Sequence, residues 1–259
     1  MFGYGRAFEA RVRSAGARSF LTAIVLLLTL GRPVSAQTGE RPRNLEWWHP
    51  LAAGAGVATL MLVDDPVCEF LQDHRSRSLD DVGDMTSRLK DREVYLISGG
   101  GAIAAGLLAH QPKITGTGMH ILAAYGLSAG LMLTTKWAFG RSRPSVTPGD
   151  ATVFDWFDGG AEAAFPSGSA AVAFSLATTL ADAIDRRPVS ILLYTGAALN
   201  AWARLNSNRH WLSDVALGGL YGITAAKLVN GEWSVFGLEL PAVWTDGRAT
   251  SMGYSVSTR

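Results

Sequence analysis

Six apolar stretches, residues 51–63, 94–110, 118–139, 167–184, 189–203 and 211–229, follow one another along the chain, separated by glycine, proline or charged connections. Each is long enough for a helix rather than a strand. A chain with this pattern has to lay helix on helix, since no other arrangement hides so many apolar faces. The spacing therefore predicts an all-α bundle of six helices. Hydrophobic residues make up 48% of the chain and charged ones 17%, which excludes global disorder. The abundant alanine and glycine let such helices approach closely.

Between the first two stretches lies the charged segment 64–92, where Val67, Phe70 and Leu71 mark a short amphipathic helix followed by a polar connection. Residues 41–50 read as a lead-in, with Trp47 and Trp48 available to a membrane surface or to the bundle. The tail differs in kind. Residues 233–244 and 251–256 carry aromatic and β-branched residues, with Asp246-Gly247 between them, so residues 231–259 are expected to form a β-hairpin.

The first 36 residues stand apart. Arg6, Arg11, Arg13 and Arg18 precede an apolar run over residues 20–30; Gly31, Pro33 and the small residues Ser35 and Ala36 follow. This is the pattern of a secretory signal peptide, and it places the remaining chain in the periplasm or the envelope membrane. An uncleaved anchor is the other reading, although the run is short of the ~20 residues a span needs. Residues 1–36 carry five arginines and one glutamate, a net of +4 out of +1 for the whole chain, which leaves −3 for the rest. Such a chain has no electrostatic footprint for nucleic acid. Cys68 is the only cysteine, so no internal disulfide forms. Whether the bundle, residues 37–230, lies in water or in a membrane stays open: residues 51–63 are too short to cross a ~30 Å core, and His120 and Lys136 interrupt the third stretch.

Three polar clusters sit at the ends of these helices. At the end of the third, Lys136 brings a point charge and Arg143 a planar fork suited to phosphate oxygens, with Pro144 expected to stop the helix. Such a pair also serves as macrodipole compensation or an interface anchor. Before the fourth lies Pro166-Ser167-Gly168-Ser169, a helix start whose backbone N–H groups suit an anion; an ordinary cap by Ser167 is the plainer reading. The third runs from Arg204 to His210 and Asp214. The last two are four apart at a helix start, so a carboxylate can orient the imidazole and leave its other nitrogen as a nucleophile. Each cluster has a bland structural reading alone. Together they assemble three cations, a helix N-terminus and one oriented histidine.

In these clusters the chain resembles the type 2 phosphatidic-acid phosphatase and vanadium-dependent haloperoxidase superfamily, whose signature runs K-x6-R-P, P-S-G-H and S-R-x5-H-x3-D. Lys136, Arg143 and Pro144 match the first part, and Arg204, His210 and Asp214 match the third, with Ala203 in place of the serine. The resemblance covers roughly residues 50–230. It implies a helical bundle of the phosphatidic-acid phosphatase type and a hydrolase for phosphoric esters or diphosphates, isoprenoid diphosphates among them. His210 would attack phosphorus to form a phosphohistidine, which water then opens. Lys136, Arg143, Arg204 and the Ser167-Gly168 turn would hold the phosphoryl oxygens. No metal is required. The expected partner is a phosphorylated small molecule or lipid at a membrane surface.

Position 169 departs from the family: it is serine where the family has the histidine that protonates the leaving group. General acid help is typically worth about 10²–10⁴-fold. Three readings follow: a substrate whose leaving group needs little protonation, a substitute acid among His110, His120, Asp155, Asp158 and Glu162, or binding of phosphate or phospholipid without turnover. A haloperoxidase holding vanadate in the same cradle is a further alternative.

Overall fold

The computed structural model describes residues 42–77, 80–81, 83–84, 91–160, 163–237, 242–245 and 250–253. The expected signal peptide, the turn at Asp246-Gly247 and Glu162 lie outside the described residues. Every one of the six apolar stretches is helical, and the architecture is the all-α bundle with a short antiparallel hairpin near its end.

The first stretch is α1, Trp48–Met61, and the amphipathic segment after it is α2, Asp64–Asp73, bent away by 51°. Two acids, Asp64 and Asp65, open α2 where the helix dipole favours negative charge. The second stretch is helical in two pieces, α3 (Asp91–Tyr95) and α4 (Gly101–Leu108), joined by a π-helical turn at Leu96–Gly100. Next comes α5, Pro112–Phe139, which is 28 residues long and starts on a proline whose missing N–H costs nothing there. Its end is earlier than Pro144 predicts. Gly140 takes the left-handed conformation at φ 54° and closes the last turn through its amide to the Lys136 carbonyl.

The remaining helices are α6 (Gly168–Ile184), α7 (Arg187–Asn206) and α8 (Leu212–Val229). The central one is α6, which packs against α5, α7 and α8. Its Val172, Leu176, Leu180 and Ile184 meet Tyr95, Ala102, Ile114 and Ile121 in the main core. Contact with α8 is closest of all. A Cβ at Gly218 would lie 2.3 Å from the Ser167 carbonyl oxygen, and one at Gly222 2.3 Å from that of Ala171. Only glycine permits that approach, and it brings the first turn of α6 against the second and third turns of α8.

The strands correct one expectation. Ala242–Thr245 (β3) and Thr250–Gly253 (β4) pair antiparallel as expected of the tail. Trp233–Val235 (β2), assigned to the same hairpin from sequence, instead pairs in parallel with the lead-in strand Arg43–Leu45 (β1). A parallel partner some 190 residues upstream leaves no local sequence signal, so β2 was indistinguishable from a hairpin arm.

By length and composition, α8 is the one helix among the described residues able to cross a membrane by itself, and α1 with α2 pass the same test as a bent pair.

Candidate active site

The site gathers where α5 ends and α6 and α8 begin. Segment 163–167 runs between these ends as a buried strut, and its backbone does much of the positioning. The Ala163 carbonyl accepts a hydrogen bond from Lys136 Nζ. The next carbonyl, of Ala164, accepts from His210 Nδ1 at 2.8 Å, and the Ala164 amide donates to the Arg141 carbonyl at 2.7 Å. Finally the Ser167 amide donates to the Asp214 carbonyl at 2.9 Å. Lys136, His210 and Asp214 are thus tied to one short piece of chain.

That bond defines the histidine. A carbonyl oxygen only accepts, so Nδ1 carries the hydrogen and Nε2 keeps its lone pair. The spacing predicts that Asp214 orients this imidazole. Its Oδ2 lies 3.5 Å from Nδ1, so the carbonyl makes the short bond and the carboxylate supplies charge behind it. Burial lowers the pKa of His210 below the ordinary imidazole value; Asp214 opposes this, and Lys136 and Arg143 reinforce it. The imidazole is neutral at physiological pH, as a nucleophile requires.

The cations are distributed around it. Lys136 is buried in the last turn of α5, and Arg143, half-buried in the loop beyond Gly140, acts on the same imidazole. Arg204 is buried in the last turn of α7, one short loop before His210. Ser167 is fully buried and its Oγ accepts from the Ala170 amide at 3.4 Å, so its hydroxyl serves as the helix cap. What the turn offers a ligand is the leading backbone of α6 at Gly168 and Ser169.

The substitute acids fall into two groups. His120 lies 16 residues before Lys136 on α5, about 24 Å along the helix, and His110 lies further still beyond its far end. Asp155 and Asp158 belong to the loop folded back over the end of α5, where the Asp155 amide donates to the Gly140 carbonyl. Both carboxylates are exposed on that loop. Phe154 and Trp156 of this loop form an aromatic group with Phe139, which also meets Phe165.

One residue central to the site escaped the sequence. Arg141 is buried, with its guanidinium between the rings of Phe154 and Trp211. Its Nη1 donates to Asp214 Oδ1 at 3.0 Å and to Ser213 Oγ at 2.7 Å, while Nη2 donates to Asp64 Oδ2 at 2.8 Å. The only hint was the Arg-Ser-Arg spacing inside the lysine–arginine cluster. Asp64 offered none, because its partners lie far along the chain.

The PAP2 superfamily model matches residues 117–231, which contain Lys136, Arg143, Ser167, Gly168, Arg204, His210 and Asp214. Over that stretch, which is under half of the chain, the protein is similar to the PAP2 superfamily. Among curated proteins it is similar to lipid A 1-phosphatase of Porphyromonas gingivalis, 36% identical over 109 residues. That alignment covers 41% of this chain and 21% of the relative, so the chain spans about a fifth of the relative's length. Among solved structures it is similar to a transmembrane PAP2-type phosphatidylglycerolphosphate phosphatase of Bacillus subtilis, at 21% identity and a TM-score of 0.52, covering 71% of this chain and 95% of that one. Aquifex aeolicus LpxE aligns at 20% identity with a TM-score of 0.47, over 63% of this chain and 92% of that one. The fold is the helical one of the Bacillus subtilis protein.

Proposed function

We propose that the chain is a membrane-associated phosphatase that transfers the phosphoryl group of a phosphorylated lipid to His210 and then to water. The observation that carries this is the Nδ1 hydrogen bond of His210 to the Ala164 carbonyl, which leaves Nε2 neutral and nucleophilic beside Lys136 and Arg143. In the first step Nε2 forms a bond to phosphorus as the bond to the leaving oxygen breaks. The imidazole becomes cationic, with Asp214 behind it. In the second step water attacks phosphorus, the phosphorus–nitrogen bond breaks and inorganic phosphate leaves. Lys136, Arg143, Arg204 and the Gly168 amide hold the equatorial oxygens throughout. The similarity to a lipid A 1-phosphatase supports the phosphorylated-lipid class.

Ser169 shapes the choice within that class. A serine hydroxyl is too weak an acid to protonate an alkoxide leaving group. Diphosphates expel an already stable phosphate, so an isoprenoid diphosphate suits the site better than an alkyl monoester. The test is phosphate release by purified protein from an isoprenyl diphosphate, an alkyl phospholipid and para-nitrophenyl phosphate. We expect the diphosphate and the aryl ester to turn over faster than the alkyl ester, vanadate to inhibit, and His210→Ala to abolish release. Phosphate binding without release on every substrate would favour the non-catalytic reading instead. A protein turned over fastest on the alkyl ester would refute the diphosphate preference.

A further inference from the structure

The described family match begins at residue 117, yet one of the groups that hold the site lies well before it. Asp64, the first residue of α2, is fully buried. Its Oδ1 accepts from the Ser213 amide at 2.9 Å, and its Oδ2 accepts from the Ser213 hydroxyl at 2.5 Å and from Arg141 Nη2 at 2.8 Å. The guanidinium then passes on to Asp214 Oδ1 at 3.0 Å, and Asp214 Oδ2 accepts from the Trp211 amide at 2.8 Å. Every oxygen of both carboxylates faces donors, the pattern of two ionised groups. Arg141 is further fixed by two bonds to the Ala151 carbonyl, at 2.9 and 2.7 Å.

A chain of bonds thus runs from α2 through Arg141 and Asp214 to His210. Two buried carboxylates share one guanidinium, so the group as a whole keeps one negative charge. Burying such a set is unfavourable unless every partner is present. It is also more than Asp214 needs to remain in place, because the Trp211 amide and the start of α8 already hold it. We propose that Asp64 and Arg141 are positioning residues for the phosphoryl-transfer step: Arg141 tempers the charge of Asp214, and Asp64 draws part of Arg141 away, so that the carboxylate is strong enough to stabilise a cationic phosphohistidine. This rests on the reading of His210 as the nucleophile, and it extends the working site to an element outside the family match.

Its consequence is a difference in sign. Asp214 faces His210 from α8, Lys136 from α5, Arg143 from the loop after Gly140, and Arg204 is buried at the end of α7. Of these, the relay changes only the effective charge of Asp214. Removing Arg141 leaves Asp214 uncompensated and raises the proton affinity of His210. Removing the charge of Asp64 gives all of Arg141 to Asp214 and lowers it. Through-space charge alone gives the same signs, so the relay is read by repeating both substitutions in an Asp214→Asn background, where the shifts should shrink if they act through Asp214 and persist unchanged if they do not.

The experiment is a histidine-labelled NMR titration of the full chain, compared among wild type, Asp64→Asn, Arg141→Gln and Arg141→Lys. The His210 resonance is identified by its absence in His210→Gln. Proton affinity is expected to fall about tenfold in Asp64→Asn and rise about tenfold in Arg141→Gln, within the range a neighbouring charge produces. Arg141→Lys, which keeps the charge, should titrate near wild type. Equal shifts, or none, in folded variants would overturn the proposal. Should Arg141→Gln not fold, a raised or unchanged value in Asp64→Asn does so alone. Turnover is measured in parallel, with kcat expected to fall about 10- to 100-fold and KM to hold. The titration needs no turnover, so a wild type that releases no phosphate while the shifts appear with opposite signs defeats the phosphatase reading and leaves the relay standing.

Discussion

His210 works through what it gives up. Its hydrogen is committed to the Ala164 carbonyl, and burial keeps the ring neutral, so the reactive lone pair is available without a separate base. The pH dependence follows from the sign of the shift. Attack needs the neutral ring, and the folded-state pKa lies below the ordinary value of about 6.5. We expect kcat/KM to hold as pH falls through that ordinary value and to decline only through the lowered one. Stability runs the other way in the same window: the unfolded chain binds this proton first, so the fold loses stability as pH falls below about 6.5. A pH–rate profile and urea midpoints across acidic pH measure the two. A second prediction concerns the departure at 169. Ser169→His should raise turnover of an alkyl ester relative to a diphosphate; an unchanged ratio would mean that leaving-group protonation does not limit the site.

At the scale of helices, the site depends on how closely the first turn of α6 approaches α8. Gly218→Ala would push a methyl group into the Ser167 carbonyl and part α6 from α8. Overpacking of this kind costs about 1–3 kcal/mol, and it should also weaken catalysis, since the bond between the Ser167 amide and the Asp214 carbonyl crosses the same contact. Denaturant unfolding and phosphate release measure the two effects. Gly140→Ala tests the end of α5. There the left-handed backbone disfavours a side chain by about 1–2 kcal/mol, and the added Cβ would sit 2.1 Å from the Asp155 carbonyl oxygen. These helices were legible in the sequence because an apolar stretch long enough for a helix announces itself locally. Their ends were less so: Pro144 was the louder signal, but Gly140 stops the helix, since its left-handed backbone lets its own amide close the last turn on the Lys136 carbonyl. Lys136, Arg143, Arg204, His210 and Asp214 stood out as polar residues at apolar helix ends. Arg141, Asp64 and the two strut carbonyls did not, because main-chain acceptors carry no residue identity and the buried pairing joins positions 77 and 73 residues apart.

The outer face of the molecule carries its own argument. Leu107 and Leu108 on α4, Leu131 and Leu133 on α5, Ile191, Leu192 and Leu199 on α7 and Leu220 on α8 are all exposed. Apolar surface repeated over four helices is more than a protein in water normally leaves uncovered. We expect the chain to stay with the membrane through a carbonate wash and to require detergent; release into the wash would assign the bundle to the aqueous periplasm. The parallel pairing of β1 with β2 has a different consequence. It brings the strand before α1 and the strand after α8 side by side, so the helical part begins and finishes at one place on the surface. The order in which the helices are connected is then separable from how they are packed. A circular permutant opened in the exposed turn at residues 185–188, with the old ends linked, would be synthesised in a new order yet should rebuild the same cradle at the opposite end of α6.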